Sequence, residues 1–347
     1  MMHGLKRCHY LVIVSVFLIM VPLIIGMAGC GGEGGGGGDN AAPSENLEIR
    51  TWYDLNATRD NLGGNHILIN DLNSTTPGYE ELASPAANGG KGWQPIGTWE
   101  CPAAEYDTGF TGTFDGQRHE ICDLVINRPD QSYVGLFGFA RDGVIKDIGV
   151  VNVTVSGNDS VGGLLGCNSG TVSGSYFTGN VTGGDVVGGL VGRNVGRVSN
   201  SCSSGNVTGN TNVGGLVGHT DRLGAVTNSY STSSVTGDLN VGGLLGWNAG
   251  TLSKSYSTGT VTGSAWTGGL VGDYAYGSEE RSFWDIETSG QATSGGGTGK
   301  NTAEMQHTVT FSGAGWNIIA VALNESNPAY VWNIVNNVTY PFLSWQH

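Results

Sequence analysis

The 347-residue chain is short of charge, of bases and of proline. Only 13% of its residues are charged, and 15 Lys and Arg face 29 Asp and Glu, for a formal net charge of -14. With no basic patch to neutralise phosphates, nucleic acid is excluded as a partner and anionic lipid surfaces are disfavoured. Gly, Ser, Thr, Asn and Val dominate where helix formers would stand in a helical enzyme, which excludes that class. No strict Gly-X-Y period exists, so the 61 glycines do not make a collagen. The seven histidines and six cysteines follow no zinc or metalloprotease spacing. There is no Gly-x-Ser-x-Gly elbow. Residues 294–301 look like a phosphate-binding loop, but Ser294 replaces its first glycine and Asn301 the hydroxyl that would hold magnesium. No metal and no cofactor is expected.

What is present begins with an export signal. Lys6 and Arg7 precede an apolar run over residues 11–25, and Met27-Ala28-Gly29-Cys30 closes it with small residues before a cysteine. This resembles the lipobox of bacterial and archaeal lipoproteins, with Met27 in place of the preferred Leu. The resemblance implies a signal peptide over 1–29 and lipidation of Cys30. An ordinary signal peptide or an uncleaved anchor is the alternative, and each places the body outside the cytoplasm. Residues 30–46, with five consecutive glycines at 34–38, read as a flexible tether to the membrane. In an oxidising compartment Cys101 and Cys122 can pair, whereas Cys167 and Cys202 are expected to stay free.

Internal repetition decides the fold. The block Val161-Gly162-Gly163-Leu164-Leu165-Gly166 returns at 187–192, 213–218, 241–246 and 267–272, at steps of 26, 26, 28 and 26 residues, with a looser copy at 133–138. Each unit holds short Val-, Thr- and Leu-rich runs cut by glycine, the pattern of brief strands and tight turns. Leu136, Leu164, Leu190, Leu216, Leu244 and Leu270 share one register position. Val172, Val198, Val226 and Leu252 share a second; Val181, Val207, Val235 and Val261 share a third. Stacked at about 4.8 Å, such units align these residues into aliphatic ladders that no unit could bury alone. The expected fold is all-β: a parallel β-helix or β-solenoid over 133–272, with an N-terminal cap and first β turns over 47–132 and a C-terminal cap over 273–347. The repeated glycines are expected at corners with positive φ and at close backbone contacts. Tyr176, Tyr230 and Tyr256, with Cys202 and Phe283 at the same position, are expected to pack.

Gly-Leu-x-Gly within a 26-residue unit resembles the GLUG-motif repeat of bacterial and archaeal surface proteins and of non-catalytic regions of IgA-cleaving peptidases. That resemblance implies an exported, surface-displayed β-solenoid without assigned chemistry.

Catalysis finds little support in the residues. Within 161–272 the acids are Asp185, Asp221 and Asp238, all read as solvated turn residues. One column invites a binding role. Directly after Gly-Leu-x-Gly come Phe139, Cys167, Arg193, His219, Trp247 and Asp273. A position free to vary while its neighbours repeat is expected to face outward. Arg193, His219 and Trp247, with Trp266 close by in sequence, form the candidate ligand face, since Arg and Trp commonly anchor recognition surfaces. The expected role is a non-enzymatic structural or adhesive module, lipid-anchored to the cell membrane or cell surface, with its body extracellular or periplasmic. Its expected ligand is a glycan or a surface protein. The alternative is a non-catalytic, substrate-binding region of an exported hydrolase or peptidase system.

Overall fold

A computed structural model describes residues 46–99, 108–274 and 276–346. The signal peptide, Cys30 and nearly all of the tether lie outside the described residues, as does Cys101.

The repeats stack as a right-through parallel solenoid. A nine-stranded sheet runs from Leu47–Ile49 through Thr171–Ser173 and Arg197–Ser199 to Ser278–Glu280. A six-stranded sheet holds Phe137–Ala140, Leu165–Asn168, Val191–Asn194, Val217–Thr220, Leu245–Asn248 and Val271–Tyr274. An eleven-stranded sheet includes Tyr176–Thr182 and Cys202–Thr208, and a five-stranded sheet runs from Asp159–Gly162 to Ala265–Gly268. Pairing joins like positions of successive repeats: Val172 to Val198, Val181 to Val207, Val187 to Val213 and Leu165 to Val191. The expected ladders exist. Leu136, Leu164, Leu190, Leu216, Leu244 and Leu270 are wholly buried, and the two valine columns are buried with them. Burial of about 1.5–3 kcal/mol worth of apolar side chain per position, repeated on every rung, is the main term holding the stack.

The glycine expectation needs correction. None of Gly162, Gly163 and Gly166 has a positive φ; the left-handed residue comes just before the block, at Ser160, Val186, Asn212, Asn240 and Trp266, with φ of 56°, 56°, 53°, 53° and 47°. The block glycines serve close approach instead. A Cβ on Gly163 would lie 2.0 Å from the Phe177 ring, and one on Gly162 would lie 2.5 Å from the Leu165 carbonyl oxygen. A β-branched residue in the left-handed region is disfavoured by about 1–2 kcal/mol. Val186→Asn, which copies Asn212 and Asn240, should therefore raise stability by about 0.5–1 kcal/mol. The shift of the urea midpoint measures it, and no gain would mean that Val186 is unstrained.

The two ends are built differently from one another. At the N-terminal end, helix Trp52–Ala57 is closed by a capping box between Thr51 and Asp54, and Trp52, Leu55 and Trp93 are fully buried. At the C-terminal end, the last repeat is closed by residues 291–300. Ser294 Oγ accepts from the amides of Leu270 (3.2 Å) and Val271 (2.9 Å), and Thr298–Lys300 pairs with Phe283–Asp285. The remainder starts on those last rungs, where Thr302 Oγ1 donates to Asp285 Oδ2 (2.7 Å). Residues 301–346 form a strap that runs back along the side of the solenoid. Trp316 Nε1 donates to Arg281 O (2.8 Å), Tyr256 OH to Pro341 O, Gln346 Nε2 to Tyr230 OH (2.7 Å) and Trp345 Nε1 to Asn200 O (3.1 Å). The tyrosine column explains the course. Tyr176, Cys202, Tyr230, Tyr256 and Phe283 are register mates on successive rungs, an aromatic stripe that Phe311, Trp316 and Trp332 cover as a second core.

Candidate functional site

The column after Gly-Leu-x-Gly is held by the six-stranded sheet. Backbone pairing sets Phe139 beside Cys167, Cys167 beside Arg193, Arg193 beside His219, His219 beside Trp247, and Trp247 beside Asp273. Their side chains interact across rungs. Arg193 Nε donates to Asp221 Oδ2 (2.7 Å) and Nη2 to Oδ1 (3.3 Å). His219 Nε2 lies 3.5 Å from Asp221 Oδ1, near enough for attraction but outside hydrogen-bond geometry, so that this nitrogen has no hydrogen-bond partner. The His219 and Trp247 rings meet edge to face at 4.3 Å.

The column is less open than expected. Phe139 is 2% exposed, Cys167 5% and His219 9%, while Arg193 and Trp247 are half-buried. Two additions to the plain repeat account for this. Trp99 packs edge-on against Phe139 at 4.7 Å. Asp221, in a corner that has two more residues than the corner after Asn194, folds onto Arg193 and His219. Trp266 is not part of this ladder. It sits on Ala265–Gly268 of the five-stranded sheet and is 62% exposed.

Charge pairing between Arg193 and Asp221 dominates the centre of the column. Burial opposes ionisation of Asp221, but its contacts with His219 and Arg193 outweigh that and hold the carboxyl well below the usual carboxylate range. Burial pushes the Cys167 thiol up to about 12 and the Cys202 thiol up to about 12, so neither is a thiolate nucleophile near neutral pH. Cys122, the described half of the expected disulfide, is a half-buried free thiol, raised to about 12 by burial and by Glu120. Asp159 and Asp185 occupy paired positions on adjacent rungs, and Asp159 is raised, by burial first and by Asp185 after it. Asp159 stands two residues before the first full repeat block, outside the span 161–272, so the repeat pattern alone does not point to it. Among the described residues, no group of three or more His, Cys, Asp or Glu is placed to hold a metal ion. Nor is any described helix long and apolar enough to cross a membrane.

Comparison with known proteins agrees with this architecture. The family model for the GLUG motif matches residues 209–236 and 237–262. Halomucin of Haloquadratum walsbyi is 30% identical over 146 residues, which is 41% of this chain and 2% of that protein. A candidate Gly-rich membrane protein of Evansella cellulosilytica is 29% identical over 180 residues, 48% of this chain and 19% of its own length. The chain thus spans a small part of either relative. The crystal structure of a candidate immunoglobulin A1 protease from Bacteroides ovatus superimposes with a TM-score of 0.60 at 19% identity, covering 86% of this chain and 92% of that one. At that identity the likeness speaks for the fold alone. Two repeats match the GLUG motif directly and the other rungs pair in the same register, so the chain carries GLUG-motif repeats within a β-solenoid fold.

Proposed function

We propose that the protein is a surface-anchored, non-catalytic binding module. Its solenoid would present a rigid lateral face, centred on Arg193, His219 and Trp247, to a glycan or a surface protein. The observation that carries this reading is the alignment of three different recognition side chains on consecutive rungs, pre-organised by Asp221 at 2.7 Å from Arg193. A ligand meeting them loses little freedom in fixing the site, which favours binding. Surface or membrane association is supported by the names of the two relatives, and anchoring by the lipobox-like Met27-Ala28-Gly29-Cys30.

Cells producing the protein test both parts. Changing Arg193, His219 and Trp247 together to Ala should abolish adhesion to glycan- or protein-coated surfaces while the protein stays on the cell. Cys30→Ser should release the protein from the membrane fraction. Unchanged adhesion in the triple variant removes the face, and unchanged membrane retention of Cys30→Ser removes the anchor. A second reading, the substrate-binding region of an exported hydrolase or peptidase system, follows from the resemblance of the Gly-Leu-x-Gly repeats to those in non-catalytic regions of IgA-cleaving peptidases. Under it, the same triple variant would weaken capture of that system's polysaccharide or protein substrate and leave cell adhesion intact.

A further inference from the structure

The groove between the C-terminal strap and the solenoid carries chemistry that the Arg193 face does not use. Two adjoining cavities of about 510 and 260 Å³ share Arg118, Asp147, Gly174 and Trp345 in their walls, and Asn200 and Tyr330 line the larger. Their size suits a small ligand. We propose that this groove binds a short neutral oligosaccharide.

The floor is a corner of the solenoid. Asp147, Gly174 and Asn200 follow the register-paired Lys146, Ser173 and Ser199, and each has a positive φ, of 52°, 58° and 49°. Asn228, Lys254 and Arg281 continue the same column at 48°, 48° and 57°. Gly174 is the one member without a side chain, and the Asp147 carboxylate leans over it, with Oδ1 2.3 Å from where a Cβ on Gly174 would stand. Two acceptors therefore meet at this corner, Asp147 over Gly174 and Asn200 on the next rung. Asn200 Oδ1 is sheltered from solvent and has no hydrogen-bond partner, and the Asp147 carboxylate takes no hydrogen bond among the described residues. Above them, the Trp345 indole is fixed by its bond to Asn200 O, and the Arg118 guanidinium lies 5.8 Å from the ring centre while donating to Trp345 O (3.1 Å).

Aromatic rings beside unpaired planar acceptors suit a sugar, whose C–H face packs on a ring while adjacent hydroxyls donate to carboxylate and amide oxygens. An anionic glycan is disfavoured by Asp147 in the floor and by the net charge of -14. An extended peptide needs a free strand edge, and the strands that flank this corner are paired on both sides.

The intact protein should bind neutral hexose and N-acetylhexosamine oligosaccharides on an array, with a change in tryptophan fluorescence. Gly174→Asn places here the residue that Asn200 and Asn228 already carry at this register, and its Cβ pushes the Asp147 carboxylate aside. It should still fold, with the Asp147 carboxylate moved out of the corner, and weaken binding at least about tenfold. If that variant fails to fold, Tyr330→Ala, outside the core, should give the same loss. The Arg193, His219 and Trp247 triple variant should keep array binding, which separates this groove from the face proposed above. The inference is overturned if no neutral oligosaccharide binds, if only peptides or acidic glycans bind, or if folded Gly174→Asn or Tyr330→Ala binds as wild type. It is equally overturned if binding is lost in the triple variant alone.

Discussion

Leu216→Ala should cost about 2–5 kcal/mol, far more than any surface change of similar size. Leu216 is wholly buried, and its rung mates Leu190 and Leu244 are the side chains that would have to collapse into the space it leaves. They cannot move far. The Leu216 amide donates to Leu244 O (2.9 Å), and its carbonyl accepts from Leu190 (3.0 Å) and Val191 (3.1 Å), so the backbone on both sides is pinned. In a stack where each repeat touches only its neighbours, the loss also weakens coupling between the halves on either side. The urea transition should move to lower concentration and broaden. Val309→Ala, at a position 64% exposed, serves as the control and should change stability by less than about 0.5 kcal/mol. A loss at Leu216 no larger than that at Val309 would mean that the leucine ladder does not hold the molecule together.

Tyr256→Ala should free the strap while leaving the solenoid folded. The Tyr256 ring is 1% exposed, stacks on Tyr230 at 5.0 Å and 2°, and touches Phe311, Trp316, Trp332 and Tyr340 of the strap. Removing it takes away about 3–5 kcal/mol of packing, together with the hydrogen bond to Pro341 O. Limited proteolysis should then cut within residues 301–346 first and leave a resistant body. Uniform digestion, or an unchanged pattern, would contradict the division into solenoid and strap. Alkaline pH should act on the same contact. Burial raises the Tyr230 and Tyr256 phenols well above their ordinary value of 10.0. Because the folded state favours the neutral phenol, this stabilisation is fully present below about pH 10 and is lost as pH climbs toward the folded-state values. Tyr256→Phe should keep the packing and shrink that alkaline loss.

The ladders were legible because they repeat: one apolar residue recurring every 26 or 28 residues leaves little choice of register. The strap was not, since its tryptophans show no period, and what they pack against, the tyrosine stripe, exists only once the rungs are stacked. The block glycines were misplaced for a physical reason. Both positive φ and close approach select glycine, and a single sequence does not separate the two; Ser160, Val186 and Asn212 carry the corner instead. At the candidate face, the column of Arg193, His219 and Trp247 could be read from spacing alone. Its covering could not, because Asp221 acts from an enlarged corner and Trp99 from the N-terminal segment. That enlarged corner was nonetheless visible as the one step of 28 among the closely matched blocks.

Cysteine pairs across rungs give the sharpest test of the stacking itself. Asn180 and Asn206 are exposed register mates, with Asn206 Nδ2 donating to Asn180 Oδ1 at 2.8 Å, and Asn206 is in turn paired with Ser234. Neighbouring strands lie about 4.8 Å apart, within reach of a disulfide, whereas two rungs span about 9.6 Å, beyond it. On mild oxidation, Asn180→Cys with Asn206→Cys should cross-link, and Asn206→Cys with Ser234→Cys should do the same, as read by peptide mass spectrometry. Asn180→Cys with Ser234→Cys should not. Cross-linking of that last pair as readily as the first two, or of none, would contradict a parallel solenoid in this register.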